Sequence, residues 1–230
     1  MANSSIGISS SPLVSTDADA ILLGVQAPSA GDWETALAEW PGLADTLRAI
    51  DFKGASGALV RLANPNGDVP LYVAGLGTDL GAIAMREAVG AALRQLSDAG
   101  TVSIGLPAVS LTEAQAVAAL EGAGLGAYTF GAYRSDGGKK RASAITLHTE
   151  QALDEASTRD AQAVVDAVAL VKDLVTTPAN DLGPADLAER AIEAVAGLPV
   201  EVEVLDGSRS SRAATAASSA SAAARSARRA

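Results

Sequence analysis

Short apolar runs alternate with stretches of helical period along most of this chain. Runs of four to eight residues, rich in β-branched and aliphatic side chains and bounded by Gly, Pro, Asn or Asp, predict strands. They fall at Ala20–Val25, Gly57–Leu62, Leu71–Leu76, Thr101–Leu106, Tyr128–Tyr133 and Ala144–His148. Patterns of period 3.6 predict helices over Leu43–Ile50, Leu80–Leu96 and Thr112–Glu121. Alternation of this kind specifies an α/β sheet with helices packed on its faces. Tyr128–Tyr133 and Ala144–His148 lie too close for a crossover helix, and Asp136-Gly137-Gly138 between them supplies turn residues. They are expected to pair as an antiparallel hairpin, making the sheet mixed.

Beyond the sheet, Glu155–Val175 predicts one long helix. Val164, Val168, Val171 and Val175 fall at i, i+4, i+7 and i+11, an apolar stripe at helical period. Pro178 stops this helix, because proline lacks an amide hydrogen and restricts the residue before it. Pro184 suits the first turn of another helix, with Asp186 and Glu189 near its positive end and Leu187, Ile192 and Val195 marking a buried face. Gly197 and Pro199 end it, and Val200–Leu205 alternates as a strand does. The pattern announces a second α/β unit. From Gly207 to Ala230, however, the chain holds only Gly, Ser, Arg, Ala and Thr, too little apolar surface to offset the entropy of ordering.

Composition narrows the function classes. The chain has 230 residues, 48% of them apolar but only 3% aromatic, so its core is built from Ala, Val and Leu. It has no cysteine, which excludes disulfides, thiolate metal sites and a Cys nucleophile. The N-terminus lacks a basic segment followed by an apolar block, and no run approaches a membrane span, so a soluble cytoplasmic protein is expected. Of 17 basic residues, Arg209, Arg212, Arg225, Arg228 and Arg229 lie in the tail, leaving 12 bases against 27 acids before it, net −15. That field repels phosphate backbones and disfavours nucleic-acid binding by the folded part.

Candidate chemistry is sparse. Gly75-Leu76-Gly77-Thr78-Asp79-Leu80-Gly81 sits at a strand-to-helix junction, but Leu80 occupies the last glycine position of the dinucleotide fingerprint and no Lys-Ser/Thr follows. A structural glycine turn is expected there. His148, the single histidine, lies on a strand with no nucleophile elbow nearby, so a hydrogen-bonded or exposed strand histidine is expected ahead of a catalytic one. Glu201 and Glu203 share one strand face and are expected to be solvated. There is no HExxH and no Asp-x-Asp pair with a following Glu, so no metal cluster is expected. No catalytic, cofactor-binding or metal-binding residue is assigned.

Three blocks nevertheless carry a family resemblance: LYVAGLGTDLGAIAMREAVGAALRQL at 71–96, LEGAGLGAYTFGAYRSD at 120–136 and VKDLVTTPANDLGPADLAERA at 171–191. The chain resembles the leucyl (cytosol) aminopeptidases over residues 5–206, with Thr176 standing where that family commonly has Asn. The resemblance implies a macro-type three-layer α/β domain with a mixed sheet over 1–152, a linker helix over 153–177 and the incomplete start of a catalytic α/β domain over 178–206. It implies membership of a metal-dependent exopeptidase that assembles as a homo-hexamer, uses manganese or zinc, and removes N-terminal residues from peptides. The motifs that carry metal and catalytic residues in that family, resembling GKGITFDTGG and NTDAEGR, do not occur here. The chain as it stands is therefore expected to be silent as an enzyme.

Residues 207–230 are expected to be the same gene read out of frame. Shifting each codon one base earlier turns Ala codons into NGC and Ser codons into NTC. Ala217–Ala222 then reads Gly, aliphatic, aliphatic, Gly, aliphatic, Gly, which is similar to a GILGVG segment of the family. Two other functions are consistent with the residues: a non-enzymatic interaction module with a basic Arg/Ser/Ala tail, and a nucleotide or ADP-ribose binder of macro-like fold.

Overall fold

The computed structural model describes residues 3–107, 109–135 and 140–205. They divide into two compact units, Met1–Thr176 and Thr177–Ala230. The first is a six-stranded sheet covered by helices. Its strands are β1 (Ser5–Ser9), β2 (Ala20–Gln26), β3 (Leu59–Leu62), β4 (Leu71–Gly77), β5 (Thr101–Gly105) and β6 (Ala144–His148), in spatial order β1-β6-β5-β2-β4-β3. All neighbours run parallel except β3, which pairs antiparallel with β4. The helices are α1 (Trp33–Ala36), α2 (Leu43–Ala49), α3 (Ala82–Gln95), α4 (Glu113–Ala127) and α5 (Glu155–Thr176).

The central strand shows why the apolar runs are continuous. Along β2, Ala20 and Leu22 face a core shared with α3, α4 and α5, while Ile21, Leu23 and Val25 face a second core under α1 and α2. A parallel strand buried on both faces has no solvent side to alternate toward. The second core holds both tryptophans. Trp33 is fixed by its indole N–H donating to the Gln26 carbonyl at 2.8 Å and by the Phe52 ring 6.2 Å away.

Helix ends follow local chemistry. Thr112 begins α4 with a capping box, its hydroxyl accepting from the Gln115 amide while the Gln115 side chain accepts from the Thr112 amide. At α5, the Asp154 carboxylate accepts the Ser157 amide at 2.6 Å, and that bond lowers the carboxyl pKa.

Three expectations are corrected in the first unit. No strand forms over Tyr128–Tyr133. The segment is irregular, its aromatic spacing used instead by a Phe130–Tyr133 ring pair at 5.8 Å and by a contact of Tyr128 with α5. The partners of β6 are β1 and β5, both parallel, so the sheet is mixed because of β3 rather than a hairpin; the expected Asp136-Gly137-Gly138 turn lies outside the described residues. Third, α5 buries Ala161, Val165 and Ala169 rather than the valine stripe.

The second unit contains α6 (Pro184–Ala194), begun by Pro184 with the Asp186 carboxylate accepting the Gly183 amide at 2.8 Å. Its expected apolar face is not buried. Leu187 is 47% and Ile192 46% exposed, and no residue of α6 is buried. Val200–Leu205 forms no strand. An amphipathic pattern needs a surface to bury against, and the described residues of this unit supply one helix and no sheet. The low-complexity stretch 207–230 lies outside the described residues.

Candidate functional site

Helices α1 and α2 cover only one half of the sheet's second face. Over the other half, β5, β6 and β1 present aligned rows of small polar residues. Ser103 stands beside Thr146 and Gly7, and His148 stands between Gly105 and Ser9. A cleft of about 480 Å³ lies over them, its rim formed by Ser11, Pro12 and Ser15–Ala18.

His148 sits here with both ring nitrogens engaged, Nδ1 to the Ser11 carbonyl at 2.9 Å and Nε2 to Ser103 Oγ at 3.1 Å. A carbonyl only accepts, so Nδ1 carries a hydrogen and donates it to Ser11. Ser103 Oγ in turn pairs with Thr16 Oγ1 at 2.7 Å, and Thr16 Oγ1 accepts from the Ala18 amide at 3.3 Å. Close by, the Asp19 carboxylate accepts from the Gly100 amide and from the amide and hydroxyl of Thr101, at 2.8–3.0 Å. The Thr101 amide bond, with the other two, lowers its pKa.

This network ties segment 11–19 to the sheet. Chemically it stops short of a triad. The group that orients His148 is a backbone carbonyl rather than a carboxylate, and Ser103 is buried under its own hydrogen bonds.

The glycine loop after β4 is structural. A Cβ on Gly75 would stand 2.1 Å from the Ala55 carbonyl oxygen, where the chain of 54–58 crosses the end of β4, and Gly77 has φ +77°. The α3 N-terminus is already served from within, since the Asp79 carboxylate accepts the Gly81 amide at 2.7 Å. A phosphate there would meet that carboxylate, so the nucleotide reading loses its one motif. Glu201 and Glu203 are exposed. Among the described residues no three His, Asp or Glu side chains come together as a metal site requires. The manganese or zinc that the resemblance implies therefore has no fitting donor set among the described residues.

The three motif blocks instead meet one another through packing. Arg86 of α3 pairs with buried Glu121 of α4. The two helices cross in close contact, because a Cβ on Gly122 would stand 2.3 Å from the Arg86 carbonyl and one on Gly126 2.3 Å from that of Gly90. From α4 to α5 the same device recurs at Gly124, whose Cβ would meet the Val165 methyls at 2.6 Å. The Tyr128 hydroxyl then donates to Asp173 at 2.7 Å, with Lys172 Nζ 4.8 Å from the centre of its ring. Burial, reinforced by the bond to Asp173, pushes the Tyr128 pKa up to about 12.

Residues 27–137 match the model of the cytosol aminopeptidase family, N-terminal domain. The chain carries the N-terminal domain of that family. Over 203 residues it is 38% identical to a probable cytosol aminopeptidase of Leifsonia xyli subsp. xyli, covering 87% of this chain and 40% of that protein. A second, of Clavibacter michiganensis subsp. michiganensis, is 39% identical over 213 residues, covering 87% and 42%. The chain thus spans about two fifths of the length of these relatives.

Among solved structures, a tomato leucine aminopeptidase variant shares the fold with a TM-score of 0.75 at 23% identity, covering 91% of this chain and 46% of that one. The bottromycin maturation enzyme BotP in complex with Mn superposes with a TM-score of 0.60 at 25% identity, covering 77% of this chain and 36% of that one. The two blocks within 27–137 meet at the α3–α4 crossing, through the α4 glycines and the Arg86–Glu121 pair.

Proposed function

We propose that this chain is the assembly and access-shaping part of a metal-dependent aminopeptidase that removes N-terminal residues from peptides, and that the chain alone is catalytically silent. The observation that carries the proposal is the placement of the family match. It falls on the N-terminal domain, where glycines and an ion pair hold α3 against α4 and no metal donor set is found among the described residues. Peptide hydrolysis at neutral pH needs a means of lowering the pKa of water or of activating it with a base. His148, the single imidazole, is committed to Ser11 and Ser103 instead. The activity belongs, in this account, to a homo-hexamer in the cytoplasm, with manganese or zinc held by a catalytic domain outside these residues. No described helix is long and apolar enough to cross a membrane.

The test is an assay of purified chain on a leucine anilide with manganese or zinc added. The expected outcome is no turnover above the metal-only blank. Turnover that follows the protein through successive columns contradicts the proposal.

A further inference from the structure

The turn between β3 and β4 reads Asn64-Pro65-Asn66-Gly67-Asp68-Val69, and its two asparagine side chains fasten it. Asn64 Oδ1 accepts the Asn66 amide at 2.9 Å and Asn64 Nδ2 donates to the Val69 carbonyl at 2.9 Å, folding the turn onto itself. Asn66 reaches outward instead. Its Nδ2 donates to the Glu39 carbonyl at 2.8 Å and ties the turn to the α1–α2 connection, one residue before buried Trp40.

Asn66 is also placed to react with its own backbone. Cγ of an asparagine is an amide carbon, and the nitrogen of the following residue can close a five-membered ring on it. Closure needs a nitrogen that is unshielded, can lose its proton to water and can swing toward Cγ. Gly67 meets each condition. Asn66 and Gly67 are exposed, and the Gly67 amide donates to no other group among the described residues. A Cβ on Gly67 would meet nothing within 4 Å, so the peptide has room to turn. The other three asparagines are blocked by their successors. Pro65 gives Asn64 a nitrogen with no hydrogen to lose, while Asn3 and Asn180 precede Ser4 and Asp181, whose side chains crowd the attack.

We propose that Asn66 is a modification site at which the chain alters itself, closing to a succinimide that water opens to aspartate and isoaspartate, and so releases the β3–β4 turn from Glu39. In the first step the bond from Gly67 N to Cγ forms and the Cγ–Nδ2 bond breaks. The Gly67 amide proton goes to water, and Nδ2 takes one from water and leaves as ammonia. Water then adds to a ring carbonyl. Opening at Cγ gives aspartate, and opening at the backbone carbonyl routes the main chain through the former side chain. No oxidant or reductant enters. Both products carry a carboxylate in place of the amide. A carboxylate only accepts, as the Glu39 carbonyl does, so that bond is lost. The inference uses this turn alone and does not rest on the aminopeptidase assignment.

The purified chain is held at neutral and at alkaline pH and cut with trypsin, and peptide 62–86 is sequenced by mass spectrometry beside a synthetic copy. The expected result is the mass gain of amide-to-acid exchange at Asn66, faster at the higher pH, with isoaspartate in the product. Asn64, in the same peptide, is expected to stay unchanged. Asn66→Gln, whose ring would be six-membered, is expected to abolish the gain. The Asp-Gly steps at 136–137 and 206–207 isomerise without any gain in mass, so the reading belongs to asparagine. Asn66→Asp stands in for the product, and its amides over 64–69 are expected to exchange hydrogen faster than in wild type, with β4 unchanged. Asn66 that stays intact in the folded chain while the synthetic peptide converts overturns the proposal. So does a gain that falls on another asparagine or ignores pH. Exchange over 64–69 that Asn66→Asp leaves unaltered overturns the release of the turn.

Discussion

The two units of this chain carry the same kind of sequence pattern and do opposite things with it. In the first, the apolar faces of α3 and α4 close onto the sheet, and residues such as Met85, Leu93 and Leu120 are buried completely. In the second, α6 has an equally clear apolar face, yet Leu187 and Ile192 stay about half exposed and Leu198, Val200, Val202, Val204 and Leu205 are exposed as well. Periodicity states which face a segment has available to bury. Whether it is buried depends on a partner surface, which for helix and strand alike comes from elsewhere in the sequence. Only the first unit has that surface among the described residues.

The largest contrast should come from matched truncations in the two apolar faces. Leu120→Ala removes a fully buried side chain and is expected to cost about 2–5 kcal/mol, a drop of roughly 5–15 °C in the midpoint of the first unit. Ile192→Ala, at a half-exposed site, is expected to stay within about 0.5 kcal/mol. Differential scanning calorimetry of both variants checks this. Equal costs at the two sites would erase the distinction between the units.

A smaller effect tests the clasp between the α4 end and α5. Tyr128→Phe removes the hydrogen bond to Asp173 and is expected to cost about 1 kcal/mol. It also changes the alkaline limb. Because the folded pKa of Tyr128 is raised to about 12 from its ordinary value of 10.0, the unfolded chain loses this proton first. The contribution is whole below pH 10 and is lost as pH climbs toward 12. Urea titrations across that window should show wild type losing its advantage over the variant. A constant difference would remove the ionisation from the account.

The smallest effect is an expected absence. Ending the chain after Asp181 removes α6 and the exposed apolar segment that follows it. The thermal midpoint of the first unit is expected to be unchanged and solubility to improve, since exposed apolar surface promotes association. A lowered midpoint would mean that the removed residues stabilise the first unit.

How much of this was legible in the sequence follows from the range of each signal. Strands β2, β4, β5 and β6 and helices α2 and α3 are announced by local runs, and their ends fall within about two residues of expectation. β1 was not seen, because Ser5–Ser9 offers only Ile6 and Ile8 among serines and a glycine. The second half of α4 was missed for a different reason. Gly122, Gly124 and Gly126 discourage helix locally, and their use becomes visible only when Arg86, Gly90 and Val165 are found against them. Tyr128–Tyr133 alternated like a strand because its aromatics answer to α5 and to each other. The polar network was half legible. His148 stood out as the lone histidine, but its partner Ser103 lies 45 residues away, and Thr16 lies 87 residues from Ser103. No motif of fixed spacing encodes such a contact.

Hydrogen exchange followed by mass spectrometry on the intact chain tests the central claim most directly, because it reads both units in one experiment. Peptides from β2, β4, α3 and α4 should exchange at the rate of global unfolding. Peptides from α6 and residues 198–205 should be fully exchanged at the earliest time point. Protection of α6 equal to that of α4 would contradict the account, showing that its apolar face is buried after all and that the second unit is as complete as the first.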